Sequence, residues 1–160
     1  MKNSRRIECI VSCIKNLSLG DIGTDHCHIP ITACLTNSGL SAIACDLNNG
    51  PLKRAQENIN RHRLLGRIEL RKGYGLEPLT PNEVKTITIC SMGGMLMLAI
   101  LEKSPEVVQS TSQLILQPQR DIPKVRGYIQ KIGFVIKEEF IIEEKGHCYV
   151  IINCLKGEQM

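Results

Sequence analysis

Tryptophan is missing from this 160-residue chain, and only two phenylalanines and three tyrosines supply aromatic surface. So few rings argue against a platform on which single-stranded bases stack one after another. Long apolar runs are missing too. The longest mostly apolar stretch, Cys90 to Leu101, has twelve residues and two glycines, short of the ~18–20 that a membrane-spanning helix needs. The start, MKNSRRIECIVSCIK, is basic, but Glu8 breaks its apolar part and no small-residue cleavage motif follows, so it does not read as a secretory signal. No C-x-x-C pair occurs among the eight cysteines, and Cys45, Cys90 and Cys154 sit inside apolar runs, as small buried hydrophobes do. The reading is a reduced, cytoplasmic protein with no membrane partner. Disorder is excluded by 42% hydrophobic residues, and the length suits a single domain over 1–160, opening with a helix within residues 1–15.

Charge is scarce in total and concentrated locally. The chain carries +4, yet the window from Lys53 to Lys72 alone carries +5, from Lys53, Arg54, Arg61, Arg63, Arg67, Arg71 and Lys72 against Glu57 and Glu69. Such a face suits a phosphate-rich partner, and equally a solvated helix.

Periodicity predicts an alternation. Ile7, Ile10, Val11 and Ile14 mark an amphipathic helix over 4–15. Strands follow at 17–22, 41–45, 68–71, 86–90 and 113–117. Helices come between them: one from Pro30 to about Asn37 with Gly39 as its C-cap, one started by Asn49-Gly-Pro51 with Asn49 as a capping residue, one over 95–103 and one over about 123–132. Phe134–Ile142 and Cys148–Cys154 read as a closing hairpin through residues 143–146. The fold class expected is α/β: a Rossmann-like, seven-stranded, mostly parallel sheet with a C-terminal antiparallel hairpin and helices on both faces.

Ligands of such sheets bind beyond the C-terminal strand ends. The first loop there, Gly20-Asp-Ile-Gly-Thr-Asp-His26, fails the G-x-G-x-x-G pattern of pyrophosphate binders, and Asp25 would repel a pyrophosphate. Two acidic residues around Gly23 suit an ammonium group and hydroxyls instead. Asp46 ends the second strand, where a carboxylate accepts from a ribose diol or interacts with a helix start. Lys72-Gly-Tyr-Gly75 leaves backbone room for a flat base, and Ser91-Met-Gly-Gly94 is either a ligand-side turn or a plain tight turn. Ammonium, ribose and base subsites without a pyrophosphate site describe S-adenosyl-L-methionine. Cys27, His28 and His26 are too crowded for a tetrahedral metal site, and no metal is expected.

Taken in order, Asp21-Ile-Gly-Thr-Asp-His26 with Ile29-Pro30, Asn49-Gly-Pro51 with Ala55 and Asn58, Ser91-Met-Gly-Gly94, Leu114-Ile-Leu-Gln-Pro118, and Gly133-Phe134 with Glu144, Gly146 and Tyr149 make the chain resemble the bacterial tRNA (adenine-22-N1)-methyltransferases. That resemblance implies methyl transfer from S-adenosyl-L-methionine to N1 of a tRNA adenine. It implies that Asp21 and Gly23 line the methionine side, that Asp46 and Leu47 serve the ribose, and that Tyr74 and Gly75 lie beside the adenine. Ser91, Met92, Gly93 and Gly94 would lie under the sulfonium, and Asp25, His26, Gln117 and Pro118 would border the target base. His26 could instead start a helix and bond its own backbone. Tyr74 stands where the family usually has an acidic residue, and the family's helical C-terminal extension has no counterpart before Met160. A small-molecule methyltransferase, or a weakened cofactor- or RNA-binding module, is the alternative expectation.

Overall fold

The computed structural model describes residues 4–157. Seven strands form one sheet: β1 (Ser18–Ile22), β2 (Ser41–Asp46), β3 (Ile68–Lys72), β4 (Thr86–Met92), β5 (Gln113–Pro118), β6 (Phe134–Glu144) and β7 (His147–Lys156), in the spatial order β3-β2-β1-β4-β5-β7-β6. The first five run parallel, and β7 is antiparallel to both β5 and β6. The order reverses between β1 and β4, so the crevice between their C-terminal ends is where a ligand is expected. Both the sheet class and the closing hairpin match the sequence reading.

Among the described residues the helices are α1 (Arg5–Cys13), α2 (His28–Thr36), α3 (Asn49–Arg61), α4 (Gly94–Lys103), α5 (Pro105–Ser110) and α6 (Ile122–Lys131). They divide between the two faces because strand side chains alternate. Leu114 and Leu116 of β5 join the core under α4, α5 and α6, whereas Ile115 joins the core shared by α1, α2 and α3.

A nine-residue helix is marginal by itself, so packing holds α1. Its Ile7 and Ile10 are buried, together contributing about 3–6 kcal/mol relative to exposure. Ser4 caps its start, accepting from the Ile7 amide at 3.0 Å. The helix ends at Cys13, short of the expected Lys15, because the side chain of Gln113 takes the Lys15 amide at 3.0 Å and pulls the chain extended. Residues 1–3 of the expected opening helix lie outside the described residues.

Four local readings are corrected. Gly39 does not cap α2. The helix stops at Thr36 with Asn37 as C-cap, and the Asn37 side chain then accepts from the Gly39 amide at 3.1 Å. Asn49 is the first residue of α3, not its cap; Asn48 holds the extended cap position. Helix α5 was not expected at all: six residues are too few to show a period, although Pro105 occupies the first-turn position that proline tolerates. The hairpin turn is tighter than 143–146, with only Lys145 and Gly146 between strands, both at positive φ (51° and 80°), as two-residue turns matching strand twist require.

All eight cysteines are free. Cys13, Cys27, Cys34, Cys45, Cys90 and Cys154 are buried, while Cys148 is exposed. Burial pushes the thiols of Cys13, Cys27, Cys45 and Cys154 up to about 12.

Candidate functional site

The loop after β1 is built on a buried carboxylate. Asp21 is 3% exposed, and its two oxygens accept from Thr88 Oγ1 (2.6 Å) across the β1–β4 pairing and from Thr24 Oγ1 (2.7 Å) in the loop itself. Burial pushes its pKa up to about 6, against the opposing pull of the two hydroxyls. The loop then folds over the end of β2, where the amides of Gly23 and Thr24 both donate to the Cys45 carbonyl. Gly23 has φ +70°, a conformation open to glycine, and a Cβ there would come within 3.2 Å of Met92 Cε. Asp25 and Cys27 adopt positive φ (50° and 66°) without that freedom. The Asp25 amide is fixed by Asp46 Oδ2 at 3.0 Å, and the Cys27 amide by the Thr24 carbonyl at 2.8 Å. Non-glycine residues held in this region concentrate at functional loops.

Two hollows meet at Ile22 and Gly23. The larger, about 230 Å³, is lined by Asp46, Leu47, Tyr74, Gly75 and Met92 among others. Asp46 is positioned by backbone: its oxygens accept from the amides of Asp25 and of Asn48 (3.2 Å), which leaves lone pairs on both for a pair of hydroxyls. Gly75 (φ +55°) admits no side chain, since a Cβ would stand 2.9 Å from Ile100 Cγ2. Tyr74 is half-buried, with Lys103 Nζ 5.1 Å from its ring centre.

The smaller hollow, about 120 Å³, is lined by Arg6, Asp21, Asp25, His26, His28 and Ser91 among others. The Asp25 carboxylate pairs with Arg54 at 3.2 Å and lies 3.8 Å from His26 Nε2. His26 stacks on His28 (5.4 Å between ring centres), and burial, with the neighbouring His26 ring adding to it, pulls the His28 imidazole below its ordinary pKa. Ser91, at φ +62°, is held by Gln117, whose Oε1 accepts from both its amide and its hydroxyl at 3.1 Å.

Gln117 is 1% exposed, so it acts as a strut beneath the β4 loop rather than as part of an open rim. With Pro118 it also backs a third hollow of about 460 Å³, between the end of β5 and the β6–β7 hairpin, whose other wall carries His147 and Tyr149. Gly93 and Gly94 line none of these hollows. A Cβ on Gly94 would be 2.5 Å from the Arg120 carbonyl, so the glycine lets α4 start against the loop after β5.

The sequence missed Arg6, which looks like solvent-facing charge on an amphipathic helix and reaches the site only because α1 docks there. It also overcounted the basic face. Arg67 donates to the carbonyls of Asn37 and Leu40, and Arg71 grips Glu83 with two hydrogen bonds (2.8 and 2.5 Å) and reaches Glu69 and the Pro78 carbonyl. That pairing holds Glu83 down to about 2. These two arginines fasten β3, leaving Lys53, Arg54, Arg61, Arg63 and Lys72 as the candidate surface.

A family model described as a methyltransferase domain matches residues 3–152. The chain is 32% identical over 160 residues to a Bacillus subtilis protein named tRNA (adenine(22)-N(1))-methyltransferase, covering 99% of this chain and 67% of that one. It is similar to the solved structure of M. capricolum TrmK in complex with S-adenosyl-homocysteine (TM-score 0.86, 31% identity, 96% of this chain and 69% of that one). A Streptococcus pneumoniae structure containing S-adenosyl-L-methionine superposes with a TM-score of 0.90 at 34% identity, over 96% of this chain and 73% of the other.

Proposed function

The chain belongs to the family of bacterial tRNA (adenine-22-N1)-methyltransferases, and from that membership we infer how its own residues bind and act. It is an S-adenosyl-L-methionine-dependent methyltransferase whose substrate is tRNA and whose target is N1 of an adenine; a small-molecule substrate or a silent module is the poorer account. The observation that carries the site assignment is the pair of hollows joined at Gly23, one with the backbone-fixed Asp46 carboxylate and the other with both acidic and basic side chains. A neutral nucleoside end and a zwitterionic amino-acid end fit such a pair.

In this reading Asp46 accepts from the ribose hydroxyls, with Leu47 closing the rim. Tyr74 and Gly75 flank the adenine, and Asp21 and Gly23 face the methionine end. Ser91 and Met92 sit beneath the sulfur, on a turn that Gly93 and Gly94 make tight. When bound, S-adenosyl-L-methionine supplies an electrophilic methyl on sulfur. Adenine N1 has its own lone pair, so the protein needs to position rather than deprotonate it. The Asp25 carboxylate, beside His26, is placed to balance the positive charge that forms on the ring. Gln117 keeps the Ser91 turn in place, and Pro118 offers the target base an apolar wall once it leaves its stack.

Lys53, Arg54, Arg61, Arg63 and Lys72 are assigned to phosphate contacts, which bring a salt-dependent affinity. Residues 1–160 act as one domain with a cytoplasmic location; among the described residues no helix is long and apolar enough to cross a membrane. Calorimetry with S-adenosyl-L-methionine, followed by methyl incorporation into unmodified bulk tRNA, tests the reading. Asp46→Ala is expected to abolish detectable binding with the fold intact. Heat with NAD or ATP and none with S-adenosyl-L-methionine overturns it.

A further inference from the structure

The third hollow, between the end of β5 and the hairpin, opens for a reason written in the chain. The antiparallel register that pairs Leu114 with Cys154 and Leu116 with Ile152 would bring Pro118 opposite Val150, but the β5–β7 ladder ends at Leu116. Proline has no amide hydrogen with which to carry it further. Beyond that point β7 keeps β6 as its partner, out to Glu144 and His147, so the two strands continue as a ribbon. Two ties fix the ribbon. Arg126 meets Glu139 near its base with two hydrogen bonds (2.6 and 2.8 Å), and the Arg6 amide donates to Glu144 near its tip at 3.1 Å. The gap left beside β5 is the hollow of about 460 Å³.

None of its lining residues lines the two hollows that meet at Gly23, yet two of them touch that site. Gln117 carries the Ser91 turn, and Tyr149 has the Arg6 guanidinium carbon 5.1 Å from its ring centre. The walls hold no Lys, Arg, Asp or Glu, so a phosphate or an amino-acid group finds no counter-charge there, whereas a flat neutral heterocycle fits. The chain has three tyrosines and two phenylalanines. Phe134 is buried, Phe140 and Tyr128 pack against the two cores, and Tyr74 lines the larger cofactor hollow. Tyr149 alone of the five lines this one. It is only half-buried, so ring surface remains for a second partner besides Arg6. We propose that Tyr149 is the stacking partner of the target adenine, which enters this hollow when it is drawn out of the tRNA. This rests on the tRNA-methyltransferase reading above and gives the substrate base a ring. Stacking grips the face of a base and leaves N1, on its edge, free to meet the methyl.

The experiment uses the full chain, a tRNA that it methylates, and the same tRNA with an abasic nucleotide at the methylated position. Tyr149→Ala is expected to weaken binding of the intact tRNA about five- to a hundredfold and to change binding of the abasic tRNA by less than about twofold. Its Kd for S-adenosyl-L-methionine, measured by calorimetry, should equal that of wild type, which also shows that the variant is folded. Tyr149→Phe keeps the ring and should match wild type on both RNAs. Equal losses on the two RNAs overturn the proposal and make Tyr149 a holder of the hairpin. No loss on either RNA overturns it as well. So does a Tyr149→Phe protein as weak as Tyr149→Ala, because the hydroxyl and not the ring would then be acting. A Tyr149→Ala protein that loses cofactor affinity and treats both RNAs alike overturns it too, and gives the ring to Arg6. If wild type methylates no tRNA, the tRNA reading falls and this assignment with it; every other adverse result leaves that reading standing.

Discussion

Two buried polar networks occupy opposite ends of the same sheet, and they are built on different principles. At the N-terminal strand ends Gln113 uses every site it has. Its Nε2 donates to the Cys13 carbonyl (2.6 Å) and to Asn153 Oδ1 (2.8 Å), and its Oε1 accepts from Thr86 Oγ1 (2.8 Å) and from the Lys15 amide (3.0 Å). Asn16 extends the network to Thr86 and Ser112 at 3.1 Å each. Saturated at Gln113 and tied on through Asn153 Nδ2 to Glu138 at 3.2 Å, it fastens α1 to the sheet. At the C-terminal ends Asp21 is equally buried but ionisable, and two hydroxyls leave half of its acceptor capacity unspent. A full network stabilises; a part-filled one waits for a ligand. The lesson is that burial alone does not separate fastener from site, whereas unspent bonding capacity does.

The most damaging way to test the contrast is Gln113→Ala. It strands Thr86, Asn153, the Lys15 amide and the Cys13 carbonyl together, and about 4 kcal/mol should be lost, some 10 °C in melting temperature for a domain of this size. Cofactor affinity, measured at low temperature, should stay near wild type. Loss of affinity in a folded protein would mean that the two ends are coupled.

Asp21→Asn should do the reverse. Folded Asp21, with its pKa raised to about 6, holds its proton more tightly than the unfolded chain does. Its burial therefore costs nothing below about pH 4, and stability is lost as pH rises through 6, by about 3 kcal/mol at full ionisation. The asparagine variant should gain about 2 kcal/mol at pH 8, gain nothing at pH 4, and bind S-adenosyl-L-methionine more weakly. In wild type the same ionisation should strengthen cofactor binding between pH 5 and 7 by calorimetry. A pH-independent Kd would remove Asp21 from the methionine end.

A smaller effect is expected from Thr88→Val, about 1–2 kcal/mol at pH 7. Losing a donor to the charged form raises the Asp21 pKa further, so the midpoint of cofactor binding should move to higher pH. Thr86→Val, the matched change at the other end, should shift no midpoint. The smallest expected change is Lys53→Gln, a few-fold in tRNA affinity at 0.1 M salt, with the salt slope reduced by about one. A slope unaltered by removing Lys53 would show that this charge is only solvated.

Much of this was readable in the chain. The 3.6 and 2.0 periods placed five parallel strands, their main helices and the hairpin, because each buries a stripe set by local geometry. That Asp21, Gly23, Asp46, Tyr74 and Gly75 line hollows could be read because loops at the C-terminal strand ends of this fold class gather in one crevice, and the same holds for Ser91 and Met92. What stayed hidden depends on contacts distant in sequence. Arg6 meets Ser91 across 85 positions and Glu144 across 138. Arg67 and Arg71 counted as surface charge until the carbonyls and Glu83 that absorb them came into view. Gln113 and Asn153 stand 40 positions apart with no signal of their own in the sequence, and only strand pairing makes them one device.

The distribution of thiols gives this protein a built-in set of opening reporters. Only the thiolate reacts with an alkylating reagent, so at neutral pH the exposed Cys148 should label at once and the buried six only when their surroundings breathe. Cys13 sits on α1, Cys34 on α2, Cys45 on β2, Cys90 on β4 and Cys154 on β7. Peptide mapping of a timed labelling reaction would thus read, without any added probe, which layer parts first and whether a bound nucleoside slows Cys45 and Cys90 more than Cys154.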